Sequence, residues 1–155
     1  MRIFFLLISG LYVLAGCNST PSYDPVRNYK SIEKSLTTKL MMAKDSSIIE
    51  LDEGHFIFKN SLILDGKNNI TIRGKGIDKT VLSFKIQESG AEGLRVANCT
   101  NITLENFSIE DAAGDNIKVT DTDGITFKNW GGAKYQYQGD RDTGNLTETT
   151  YYKAI

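Results

Sequence analysis

Proline is nearly missing: Pro21 and Pro25 are the only two, and the rest of the 155-residue chain has none. Every backbone N–H past residue 25 is therefore free to pair. Cysteine is as scarce, with Cys17 and Cys99 alone, and His55 is the sole histidine. Neither sign of charge is in excess, with 18 Lys+Arg against 19 Asp+Glu. That balance excludes nucleic acid as the main partner, because phosphate binding needs a clustered basic surplus. The 14 glycines follow no triplet period, which excludes collagen-like sequence, and 40% apolar content excludes wholesale disorder. The length suits a single domain.

Residues 1–16 carry one charge, Arg2, then the apolar runs Ile3 to Ile8 and Leu11 to Leu14. A short positive start, an apolar stretch of this size and a small-residue exit make a secretory signal, too short to span as a mature helix. The exit Leu14-Ala15-Gly16-Cys17 resembles the bacterial lipobox. The resemblance implies cleavage before Cys17, acylation of its thiol and a stable membrane anchor through more than one chain. The mature chain then has 139 residues and a charge of −2. Asn18 after the cysteine lacks the aspartate of an inner-membrane retention signal, so the expected location is the outer membrane of a bacterial envelope. Cys99 becomes the one free thiol and reads as a small buried residue, since no activating partner is evident.

Residues 17–25 are polar, hold both prolines and read as a tether. Asp24-Pro25 supplies an N-cap and a first helical proline, and Val26, Tyr29, Ile32, Leu36 and Leu40 follow at steps of three and four. This spacing predicts an amphipathic helix over 26–45. The period then changes to two. Ten apolar runs separated by turn residues fill 46–130: Ile48–Leu51, Phe56–Phe58, Leu62–Leu64, Ile70–Ile72, Val81–Phe84, Leu94–Val96, Ile102–Leu104, Phe107–Ile109, Ile117–Val119 and Ile125–Phe127.

These runs repeat. Asn69-Ile70-Thr71-Ile72-Arg73 returns as Asn101-Ile102-Thr103-Leu104-Glu105 after 32 residues and as Gly124-Ile125-Thr126-Phe127-Lys128 after 23 more. Leu94-Arg95-Val96 returns as Ile117-Lys118-Val119 after 23, and Ile48 stands 22 before Ile70. Three short strands per period of 22 to 23 predict an all-β fold, a parallel β-helix of about four coils in which each coil stacks on its copy. The 32-residue step reads as one coil with about nine residues inserted around Lys85–Glu92. Alternation then points Ile70, Ile102 and Ile125 inward in one column and Ile72, Leu104 and Phe127 in the next. Outward lie a ladder of Thr71, Thr103 and Thr126 and a column of alternating charge, Arg73, Glu105 and Lys128. The helix is expected to cover the first coil, whose edge and open core would otherwise be exposed. Past Trp130 the register is lost over 131–155, so the chain reads as the N-terminal part of a longer β-helix or as a miniature one closed by its aromatic tail.

The helix followed by Ile49 to Phe56, Leu64-Asp65-Gly66, Ile70 to Gly76 and Thr80 to Phe84 resembles secreted right-handed parallel β-helix proteins of the pectin-lyase-like superfamily, from about residue 30 to 130. The resemblance implies the architecture firmly and the chemistry weakly. Pectate lyases, polygalacturonases, alginate epimerases and lipoproteins share the fold. Lyases of this kind need a cation or acid at a uronate carboxylate and an Arg or Lys base on one outward face. Arg95 and Lys118, one coil apart in an outward column, are the candidate substrate-binding pair. Asp111, Asp115 and Asp121, in turns flanking the later strands, are candidate Ca²⁺ ligands, although aspartates also form such turns. His55 reads as a first-coil surface residue, and the Asn-x-Thr triplets as turn-plus-ladder residues. Trp130, Tyr135, Tyr137, Tyr151 and Tyr152 suit sugar stacking or a closing layer. Three functions stay open: a lipid-anchored polysaccharide-binding protein, the N-terminal part of a uronate lyase or epimerase, and a truncated chain without activity of its own.

Overall fold

A coil that stacks on its copy must turn the same corners at the same places, and the left-handed residues of this chain fall in such columns. The computed structural model describes residues 28–131, together with the backbone of two later strands. One helix, α1 (Glu33–Met42), precedes the sheet strands. The first coil holds β1 (Ile48–Glu50), β2 (Gly54–Ile57) and β3 (Asn60–Asp65). The second holds β4 (Thr71–Arg73), β5 (Thr80–Ser83) and β6 (Ser89–Ala97). The third holds β7 (Thr100–Glu110) and β8 (Ile117–Thr120), and β9 (Asp123–Gly131) begins another. In the third coil two of the expected runs, Ile102–Leu104 and Phe107–Ile109, merge into the single strand β7, bent at Asn106 with φ 60°.

All pairings are parallel, and they define three faces. The first runs β1, β4, the front of β7 and β9, the second β2, β5 and the back of β7, and the third β3, β6 and β8. This is an all-β parallel solenoid of about three turns with one short N-terminal helix. The count is below the expected four because the second coil is long. Thr71 pairs Thr103 across 32 residues, where Ile48 to Thr71 and Thr103 to Thr126 take 23 each. The surplus is also divided. Six steps from Ile48 to Gly54 become nine from Thr71 to Thr80, and eight from Gly54 to Leu62 become 14 from Thr80 to Leu94. The insertion expected as one loop of about nine residues is thus three before β5 and six after it.

The third-to-first corner never changes length. Leu62 to Thr71, Leu94 to Thr103 and Ile117 to Thr126 are all nine steps. Gly66, Asn98 and Asp121 take φ of 62°, 51° and 48° at its start, and Ser46, Asn69, Asn101 and Gly124 take 64°, 56°, 53° and 74° at its end. Asn tolerates this region better than other side-chain residues, and its amide can also bond along the stack. Asn101 Nδ2 donates to Asn69 Oδ1 (3.2 Å), Asn129 Nδ2 to Asn106 Oδ1 (2.9 Å) and Asn98 Nδ2 to Asp65 Oδ1 (2.8 Å). The Asn-x-Thr triplets at Asn69, Asn98 and Asn101 are therefore the corner ladders read from the sequence.

Inside, one apolar cluster runs from Leu36 to Trp130. The expected columns hold: Ile70, Ile102 and Ile125 are buried, as are Ile72 and Leu104, while Phe127 at the lowest described coil is half-buried. Phe58 and Phe84 stack with ring centres 5.1 Å apart, adding about 0.5–1.5 kcal/mol beyond burial alone. One register differs. Ile48 pairs Thr71, not Ile70, so Ile49 faces the core and Ile48 is exposed. A one-residue slip exchanges faces in a period-two strand, and two adjacent isoleucines hide which of them faces in. Outside, the charge column gains a member, because Glu50 pairs Arg73, Arg73 pairs Glu105 and Glu105 pairs Lys128. Arg73 bonds the nearly buried Glu105 below it and Glu50 above it, and Lys75 reaches Glu50 at 3.0 Å.

The helix is shorter than expected, 10 residues rather than the 20 of 26–45. Tyr29 and Lys30 leave the helical pattern because β2 presents an unpaired edge: Lys30 N donates to His55 O (2.9 Å), and Ile57 N donates to Lys30 O (3.0 Å). Val26 and the expected cap Asp24-Pro25 lie outside the described residues, as does Cys17. Leu36 and Leu40 seat α1 over the first coil, and Glu33 accepts bonds from Lys59 N (2.9 Å) and the Asn60 amide. Beyond residue 131 the parallel pairing goes on in the backbone rather than ceasing: β10 (Tyr135–Gln138) pairs β8 and β11 (Leu146–Glu148) pairs β9, at shorter steps of 18 and 21.

Candidate functional site

The third face is the flank where the chain places basic side chains on consecutive strands. Its strands show outward positions between buried ones: Ile63 on β3, Arg95 on β6 and Lys118 on β8 are register partners. Parallel neighbours lie about 4.8 Å apart, so the Arg95 and Lys118 side chains leave the sheet one strand spacing from each other. The repeat Leu94-Arg95-Val96 and Ile117-Lys118-Val119 therefore places its pair together as the spacing required. Arg95 is exposed, and no ion pair is made by it among the described residues. Lys118 is half-buried and engaged: its Nζ lies 3.4 Å from Glu92 Oε1. Burial pushes the Glu92 carboxyl up, but bonds from its own backbone N–H, from Lys118 and from the Ala91 N–H outweigh it and hold it below the usual carboxylate range.

Above Arg95 the face meets α1. Thr37 and Met41 of the helix, Ser61, Ile63 and Asp65 of β3, and Lys67 enclose a groove of about 380 Å³. Its floor is apolar, with Ile63 50% and Met41 67% exposed. Lys67 Nζ donates to Met41 O (2.9 Å), tying the corner of the first coil to the end of the helix. Exposed apolar side chains of this size make a surface able to take an apolar partner.

The other expected site residues separate. Asp111 follows β7 with φ 61° and accepts a bond from Ser83 Oγ (3.3 Å), Asp121 follows β8 at the third-to-first corner, and Asp115 is half-buried with its carbonyl accepting from Gly93 N (2.9 Å). Asp111 and Asp115 share the loop between β7 and β8, and Asp121 stands apart at the third-to-first corner. Among the described residues no group of three His, Cys, Asp or Glu side chains can hold a metal ion. His55 is more covered than a surface residue: Tyr29 lies edge-on at 6.3 Å, and its buried Nδ1 has no hydrogen-bond partner. Trp130 belongs to the core, edge-on to Phe107 at 5.0 Å. The side chains of Tyr135, Tyr137, Tyr151 and Tyr152 lie outside the described residues. Cys99 is buried, its Sγ donating to Ala97 O (3.0 Å), and burial pushes its thiol up.

Sequence reasoning missed Glu92, Met41, Ile63 and Lys67. Glu92 lies in the inserted stretch, which has no copy in the neighbouring coils and so no register to place it. The groove needs a helix and a strand brought together, and repeat spacing is silent on that. No family model, curated protein or solved structure matches the chain.

Proposed function

We propose that the third face binds acidic polysaccharide, in a lipid-anchored protein of the bacterial envelope. The observation that carries this reading is the registered pair Arg95 and Lys118 on one outward column, beside the apolar groove under α1. An extended uronate chain carries carboxylates at regular intervals, which suits cations fixed at strand spacing. Coulombic attraction of this kind sets encounter and orientation more than tight binding, so a modest affinity that weakens with salt is expected. The lipobox-like Leu14-Ala15-Gly16-Cys17 supports the anchor, and Cys17→Ser should move the protein from the membrane to the soluble fraction.

The test is affinity electrophoresis and calorimetry with polygalacturonate and alginate at low ionic strength, with neutral dextran as control. Arg95→Ala should weaken binding about fivefold and Arg95→Ala with Lys118→Ala more than tenfold, each loss shrinking at high salt. Equal affinity of parent and double variant would remove the face from consideration. Formation of unsaturated sugar ends by the purified chain would favour the lyase reading instead.

A further inference from the structure

The six residues that enlarge the second coil after β5 form a loop held from three sides. Gln87 is its hub: Nε2 donates to Ser61 Oγ (3.1 Å), to Ser89 O (3.4 Å) and to Glu92 O (2.9 Å), while Oε1 accepts from Ala113 N (2.9 Å). Ser61 Oγ also donates to Glu92 O, Glu88 N donates to Lys59 O (2.7 Å), and Gly93 N donates to Asp115 O (2.9 Å). The peptide joining Glu92 to Gly93 is thus fixed, its carbonyl by Ser61 of the coil above and by Gln87, its N–H by Asp115 of the coil below. Of the loop's two acids, Glu88 pairs with Lys59 in solvent, whereas Glu92 is delivered onto the third face against Lys118. That second pair is the more enclosed, with side chains 17% and 28% exposed.

We propose that Glu92 is a resident carboxylate that stands where a ligand's carboxylate would stand, and so sets which anions the face accepts. This rests on the reading of the face as an acidic-glycan site. Arg95 meets an incoming acidic group first, and Lys118 is released only to a group that displaces Glu92. Uronate carboxylates compete with Glu92 on equal chemical terms and bind weakly. Sulfated glycans, in which one sugar can carry more than one anionic group, displace it more readily through their higher charge density. The inserted loop is then a selectivity element, and its rigid Gln87 hub holds the competing carboxylate in place.

The experiment compares the full chain with Glu92→Gln, Glu92→Asp and Glu92→Gln with Lys118→Ala, using polygalacturonate and dextran sulfate in calorimetry. Glu92→Gln should bind polygalacturonate about fivefold more tightly than the parent, with a smaller gain on dextran sulfate. Glu92→Asp, one methylene shorter, should fall between. The gain should vanish in the double variant, because it passes through Lys118. Parent and Glu92→Gln binding polygalacturonate with equal affinity would overturn the inference and leave the glycan reading standing. A gain that persists without Lys118 would overturn it as well, since a general charge effect would then be acting. Absence of binding in both parent and Glu92→Gln would overturn the glycan reading and the inference with it.

Discussion

Asn101 shows how one side chain serves two needs at a corner. Its backbone is left-handed at φ 53°, and its amide bonds Asn69 in the coil above. Asn101→Ala loses the bond and the short polar side chain that makes the left-handed backbone tolerable, so about 1–2 kcal/mol of stability should go. Asn101→Gly loses the bond but relieves the backbone and should cost about half as much. Urea unfolding of both variants checks this; a glycine variant as unstable as the alanine one would show that the amide ladder alone matters. The ladder was legible because Asn-Ile-Thr recurs in the sequence. Gly74 was legible only as a turn. Its closeness to the next coil emerges in three dimensions, where an added Cβ would meet Phe107 Cβ at 2.8 Å, Thr80 Cβ at 2.9 Å and the Asn106 carbonyl.

At the scale of the element, repeated segments were placed well and unrepeated ones poorly. The strands of the first face follow the offsets of 32 and 23, because an inward isoleucine in one coil requires its copy in the next. The helix lacks a copy, and the free edge of β2 took Lys30 out of the stripe that pointed to an earlier start. The first coil is instead held by polar ties that depend on ionised carboxylates. Asp45 accepts from Asn68 Nδ2 and N, both at 3.0 Å, and these bonds hold its carboxyl below the usual range. The Lys75 bond does the same for Glu50, with Arg73 adding to it. A carboxyl depressed in the folded state contributes stability that is complete above its unfolded value, about 4, and is lost as pH falls through the depressed one. Thermal unfolding should therefore be flat near neutrality and fall below about pH 4. Asp45→Asn should lower the plateau and make the acid decline shallower. An unchanged acid profile would show that these ties do not contribute.

At the scale of the whole molecule, stacking makes each coil depend only on its neighbours, and such arrays can unfold coil by coil. Here several features link the coils into one unit. The apolar cluster is unbroken from Leu36 on α1 to Trp130 on β9, the Phe58–Phe84 stack joins the first coil to the second, and the buried Cys99 lies between Lys67 N of the first coil and Thr122 Oγ of the third. Three turns offer too few interfaces for a part to stand alone once α1 is lifted, because the first coil would then lose the cover that packs on β3. Unfolding in urea should accordingly be a single transition. With Cys17 replaced by Ser, Cys99 is the one thiol left and its labelling reports the middle coil, while fluorescence of the sole tryptophan reports the lower one. Both midpoints should coincide with that of far-ultraviolet circular dichroism, and Leu40→Ala should move all three together by about 2–5 kcal/mol. Thiol labelling or circular dichroism that ran ahead of the tryptophan signal would show the coils peeling from the helical end.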